Sequence, residues 1–135
     1  MDFTIDRSKW RCGDTGDNKV GEGQTALLNP EGFLCCLGQV AIQCGADEEG
    51  IHNVGEPRDC KVLRGIDNPL ITVDDDYDPE DGFLIQGLRN TRLSEEAMSI
   101  NDDTSIDLFI RECKLAALFH KHGHTITFIG EAVKP

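Results

Sequence analysis

Residues 101–129 read NDDTSIDLFIRECKLAALFHKHGHTITFI, and this stretch decides the fold. Asn101, Asp102, Asp103, Thr104 and Ser105 supply side chains suited to capping a helix start. Ile106, Phe109, Ile110, Cys113, Ala117 and Phe119 then recur at helical spacing, which predicts about four turns with those residues inward. Gly123 suits the left-handed residue that ends such a helix. Thr125-Ile126-Thr127-Phe128-Ile129 is rich in β-branched residues and reads as a strand. A helix, a glycine and a strand in succession give mixed α and β structure.

Working outward, the N-terminal Phe3-Thr4-Ile5-Asp6 alternates apolar and polar and predicts a second strand, with Phe3 and Ile5 inward and the C-terminal strand as its neighbour. Gly32 opens an apolar segment in which Leu34, Leu37, Ala41 and Cys44 fall at helical spacing, and Gly45 suits its end. Gly38 inside that helix implies a close packing contact, since glycine there costs about 1 kcal/mol relative to alanine. Residues 13–23 read as a loop, and residues 46–67 show no clear period. Leu70–Val73 predicts a short strand, Asp74–Asp81 an acidic loop, Phe83–Ile85 an apolar run, and Leu93–Met98 one or two helical turns capped by Thr91 or Ser94. The expectation is a single α+β domain over residues 1–135, a small sheet with two or three helices packed on one face.

Composition narrows the function classes. The 135 residues carry 13 cationic and 25 acidic side chains, a formal charge of −12, which disfavours general nucleic-acid binding and anionic membrane surfaces. Apolar runs such as Phe33–Leu37 fall far short of a membrane span. The start Met1-Asp2-Phe3-Thr4 lacks the basic and apolar regions of a signal peptide, which predicts a cytoplasmic protein whose six cysteines are thiols. No Cys-x-x-Cys pair occurs, and no cofactor motif is present.

Four clusters bear chemistry. Arg7-Ser8-Lys9-Trp10-Arg11 places three cations beside the single tryptophan. Arginine forks onto phosphate or carboxylate and an indole stacks on a flat ring, so Arg7, Lys9, Trp10 and Arg11 are the candidate ligand-binding residues for a nucleotide-like anion. A strand continuing through Arg11 would set Trp10 on the opposite face from the cations. Asp74, Asp76 and Asp78 have calcium-loop spacing, but Pro79 stands where the turn glycine belongs and Ile85 where the bidentate Glu belongs. Asp75, Asp76 and Asp78 are instead the candidate contact surface for a protein partner. His120, His122 and His124 are close in sequence but diverge at a helix end, so no metal site is expected there. Cys35 and Cys36 read as buried core thiols rather than a nucleophile.

Asp6–Arg11, Ala26-Leu27-Leu28, Gly32–Gly38 with its Cys-Cys-Leu-Gly run, and Asn101–Asp103 before the last helix resemble short proteins of tailed phages and prophages. The resemblance carries over no catalytic residues. It implies an accessory phage protein that counters antiviral defence by sequestering a host factor, either a host protein or a small nucleotide signal. The alternative is a small metal- or thiol-dependent hydrolase using His120, His122, His124 or a cysteine. The sequence leaves a homo-oligomer open.

Overall fold

A computed structural model describes residues 1–12, 26–29, 32–78 and 83–131, with the side chains of 74–78 and 83–86 outside the description. The chain forms an α+β domain. Strand β1 (Asp2–Asp6) pairs in parallel with β4 (Thr125–Ile129), so the two terminal strands are neighbours as their sequences suggest. Strands β2 (Ile71–Asp78) and β3 (Phe83–Asn90) form a separate antiparallel pair. The helices are α1 (Cys36–Cys44), α2 (Glu48–Ile51), α3 (Arg92–Asp102) and α4 (Leu108–Lys121). Short 3₁₀ turns occupy Arg7–Lys9, Pro57–Asp59 and Lys61–Gly65.

Phe3, Ile5 and Ile126 face inward, and α4 packs beneath β4 while α1 runs beside β1. The free edge of β1 is sealed by α1. Gln43 accepts from Thr4 N at 2.8 Å and donates to Thr4 O at 2.6 Å. One turn earlier, Gln39 accepts from Asp6 N at 2.7 Å and donates to Asp6 O at 3.0 Å. Two amide side chains thus reproduce the hydrogen bonds of a missing strand, at the i, i+4 spacing that puts both on one helix face.

The core joins Ile5, Trp10, Leu27, Leu37, Leu115 and Phe119, all essentially inaccessible. Gly38 permits the approach its position implied: a Cβ there would sit 1.8 Å from the backbone oxygen of Leu27. Gly45 (φ 118°) and Gly123 (φ 84°) end α1 and α4 in the left-handed conformation. Asn101, 1% exposed, is the polar centre of this core. Its Oδ1 accepts from Trp10 Nε1 at 2.7 Å and from Cys36 N at 3.1 Å. Its Nδ2 donates to Arg11 O at 3.1 Å and to Asp102 Oδ1 at 2.9 Å.

Several boundaries differ from expectation. Asn101 and Asp102 close α3 instead of opening α4; Asp107 caps α4 by accepting from Ile110 N at 2.8 Å. Helix α3 is eleven residues, longer than one or two turns, with Thr91 as its cap. Helix α1 starts at Cys36, capped by Cys35. The acidic residues 74–78 lie on β2 rather than in a loop, and residues 79–82 fall outside the described residues. The loop expected at 13–23 also lies outside them.

The inward face of α4 is rotated from the expected one. Arg111, Leu115, Leu118 and Phe119 are buried, whereas Phe109, Ile110, Cys113 and Ala117 are exposed. The cause is Arg111. Its guanidinium gathers the carbonyls of Ile100, Asp103 and Ile106 from the α3–α4 turn and reaches Cys12 Sγ at 3.6 Å. Ile100 lies in the last turn of α3 and Asp103 and Ile106 in the turn that follows it, and burying such carbonyls requires a donor.

Phe119→Ala is expected to cost about 3–5 kcal/mol, as for a buried aromatic. Phe109, 75% exposed, should tolerate alanine within about 0.5 kcal/mol. Urea denaturation of both variants checks the contrast, and equal midpoints would place the helix rotation wrongly. Asn101→Leu leaves the Trp10 and Cys36 N–H groups buried without an acceptor, at about 1–3 kcal/mol each. The same measurement should show the midpoint falling accordingly.

Candidate functional site

The Arg7–Arg11 segment does not assemble one pocket. A 3₁₀ turn interrupts the strand at Arg7–Lys9, and the four residues part. Trp10 is 1% exposed, bonded to Asn101 and packed at a tilt against Phe128, 5.4 Å between ring centres. Arg11 is 4% exposed, and its N–H donates to Leu34 O at 2.7 Å. Arg7 forks onto Glu112, Nε to Oε2 at 2.8 Å and Nη2 to Oε1 at 2.6 Å, and its Nη1 donates to Gly130 O at 3.0 Å. The carboxylate raises the guanidinium pKa further above its usual value. Arg7 therefore ties the end of β1 to α4 and to the end of β4. Lys9 is exposed, beside a groove of about 230 Å³ that Gln39 and Gln43 also line. That volume is below the range of about 300–1,000 Å³ usual for ligand pockets.

The histidines also part. His120 is exposed on α4, His122 caps its end, and His124 packs against the edge-to-face pair of Phe3 and Phe119 with Nδ1 3.2 Å from the Met1 amino group. Partial burial, with the nearby amino terminus and His122, holds the His124 pKa below its ordinary value. Among the described residues no three His, Cys, Asp or Glu side chains converge as metal ligands.

The cysteines at the start of α1 are poor nucleophiles. Burial pushes the Cys35 thiol up to about 12 and Cys36 well above its ordinary value, outweighing the favourable helix N-terminus. Cys35 Sγ instead caps α1, accepting from Gly38 N at 3.4 Å. Asp75, Asp76 and Asp78 sit in β2 opposite Gln86, Ile85 and Phe83, and their side chains lie outside the described residues.

A cationic surface that no motif announced lies in the region read as aperiodic. Arg58, Lys61 and Arg64 line a concavity of about 510 Å³ together with Asp59 and Leu88. The 3₁₀ turns create it. At about three residues per turn, positions three apart eclipse one another, so Lys61 and Arg64 stack on one side of the Lys61–Gly65 turn. Arg58, three residues earlier, belongs to the preceding turn, which Pro57 opens. The turns dock against β3 and β2, where Asn90 Oδ1 accepts from Arg58 N at 2.7 Å. Leu63 points into the core, fully buried, and so orients its neighbours outward. Glu56 pairs with the Arg58 guanidinium. Lys61 and Arg64 are exposed. The spacing Arg58-x-x-Lys61-x-x-Arg64 was the available signal, readable only against a three-residue period.

These placements predict thiol reactivity. With a disulfide reagent at pH 8, Cys113 in the native protein should react first, while Cys12, Cys35, Cys36 and Cys60 wait for denaturant. Mass spectrometry of the modified peptides checks the order; rapid labelling at Cys35 would contradict the buried cap. No protein-family model matches the chain, and neither a curated protein nor a solved structure is significantly similar to it.

Proposed function

We propose that this chain is a non-enzymatic binding protein that captures a small, anionic, nucleotide-like ligand in the concavity of Arg58, Lys61 and Arg64. The observation that carries this reading is the gathering of three cations around one concavity in a chain of net charge −12. A volume of about 510 Å³ lies within the range of small-molecule sites. Guanidinium groups match phosphate oxygens in pairs, and the ammonium of Lys61 adds a point charge. Glu56, already paired with Arg58, and Asp59 beside it limit how much negative charge the site accepts. With Trp10 held in the core, recognition would be led by phosphate rather than by stacking on the indole. The phage-like sequence patterns supply the setting: capture of a nucleotide signal would silence a host defence without chemistry, in the host cytoplasm.

A second reading, capture of a host protein, has support from α4. Phe109, Ile110, Cys113 and Ala117 form an exposed apolar stripe with Lys114 and Lys121 beside it. Large exposed apolar groups with a polar rim suit a protein partner, here one with an acidic border.

The experiment is calorimetric titration with a cyclic dinucleotide, with ATP and with pyrophosphate, on the intact chain and on Lys61→Ala/Arg64→Ala. Each lost charged hydrogen bond is worth about 1.5–3 kcal/mol, so the double variant should bind at least about a hundredfold more weakly. Its melting curve should be unchanged, because both side chains are solvent-exposed. Added salt should weaken binding. Absence of binding to all three anions at millimolar concentration, with Phe109→Asp abolishing capture of a host protein, would favour the second reading.

A further inference from the structure

The two edges of the β1–β4 pair are treated differently. Gln39 and Gln43 occupy the edge of β1. At the other edge, hydrogen-bond parity fixes which groups of β4 face out. Thr125 N donates to Met1 O at 2.9 Å, in a register that sets Asp2 opposite Thr125. In a parallel pair, the N–H and C=O of Thr125, Thr127 and Ile129 therefore point toward β1. Those of Ile126 and Phe128 point away, and among the described residues no donor or acceptor meets them. Thr125, Thr127 and Ile129 present exposed side chains on the outer face. None of the five strand residues is charged and none is proline, so the devices that normally blunt an edge are missing.

We propose that β4 pairs antiparallel with β4 of a second copy about a two-fold axis through Thr127, giving the order β1-β4-β4-β1. The parity selects this register. Ile126 of one copy and Phe128 of the other exchange both N–H···O bonds, and the same exchange repeats across the axis. Thr127 then meets Thr127 as a close, non-hydrogen-bonded pair, about 4.5 Å between Cα atoms. Ile129 lies opposite Thr125, an apolar and β-branched contact of the kind that stabilises cross-strand pairs. A second copy is the favoured occupant because the register is self-complementary, the symmetry of an isologous dimer. It is also favoured electrostatically: two chains of charge −12 repel, and an uncharged strand is where they can meet at least cost. A two-stranded parallel sheet is small for an independent unit, and four strands are a common sheet size. The inference is independent of the basic concavity.

Sedimentation velocity at about 100 μM, where a micromolar association is populated, should show a dimer. Thr127→Asp sets two carboxylates against each other on the axis and should weaken the dimer by about fivefold. In a Cys113→Ser background, Thr127→Cys should cross-link on mild oxidation, because the paired Cα spacing suits a disulfide. Thr125→Cys should not, since its own symmetry mate lies about 13 Å away along the strand. The cross-linking arm decides if Thr127→Asp fails to fold. A monomer at 100 μM overturns the proposal. So does a dimer that resists Thr127→Asp and cross-links at residue 125 as readily as at 127, or one abolished by Phe109→Asp alone.

Discussion

The buried amide of Asn101 is the constraint on which the arrangement rests. It uses both lone pairs of its oxygen and both protons of its nitrogen on groups from three separate segments: the turn after β1, the start of α1 and the end of α3. In a low-dielectric core such a network rigidifies when complete and is costly when incomplete. Trp10 is fixed by its indole N–H, so the chain leaving β1 must turn at Arg7–Lys9 and cannot run on as a strand. The first N–H of α1 is satisfied by Asn101, and Cys35 Sγ takes another two residues on. Arg111 completes the same region from α4 by collecting the carbonyls of the α3–α4 turn. Three helices and the segment that follows β1 therefore meet around Asn101 and Arg111, whose polar groups bond to those elements.

That network explains what the sequence could and could not reveal. The terminal strands and the glycine stops of α1 and α4 were legible because they rest on local rules: alternation, β-branching and positive φ. The face of α4 was misread because the stripe Leu108, Arg111, Leu115, Leu118 has a cation in its middle. Periodicity counts apolar residues, and a buried arginine is visible only once its carbonyl partners are known. The same applies at Asn101, which as a lone residue before a helix looks like a cap. Long-range hydrogen bonding overrode a local preference in both places. The hairpin was hidden for another reason. Its run of aspartates has poor strand propensity, and the pairing partner 83–90 is a separate stretch of sequence.

Charge placement follows from these internal demands. An acidic chain has few cations to place, and packing takes some of them first. Arg111 and Arg11 are buried, and Arg7 is bound to Glu112 and to the carbonyl of Gly130. An exposed ion pair adds about 1 kcal/mol at most, but a bidentate pair with a second carbonyl contact and Phe128 beneath it fixes geometry as well. The basic cluster most conspicuous in the sequence is thus largely engaged within the fold. The cations of the 3₁₀ turns differ because buried Leu63 anchors the turn while Lys61 and Arg64 extend to solvent. Conspicuousness in sequence and availability in space are separate properties, and here they fall on different segments.

Helix α3 relates the two parts of the molecule. Its first turn is held at the hairpin side, where Thr91 N donates to Leu70 O at 3.0 Å and buried Ser94 Oγ donates to the same carbonyl at 2.7 Å. Its last turn carries Asn101, at the β1–β4 side. Eleven residues at about 1.5 Å each span roughly 16 Å, so one short helix is fixed by buried hydrogen bonds at both ends. A helix pinned this way cannot tilt without breaking a satisfied polar group at one end. The turns bearing Arg58, Lys61 and Arg64 dock on the hairpin, and the uncharged edge of β4 belongs to the other side. The proposed ligand surface and the proposed dimer surface therefore draw on different elements, and pairing through β4 would leave the residues of the concavity unused.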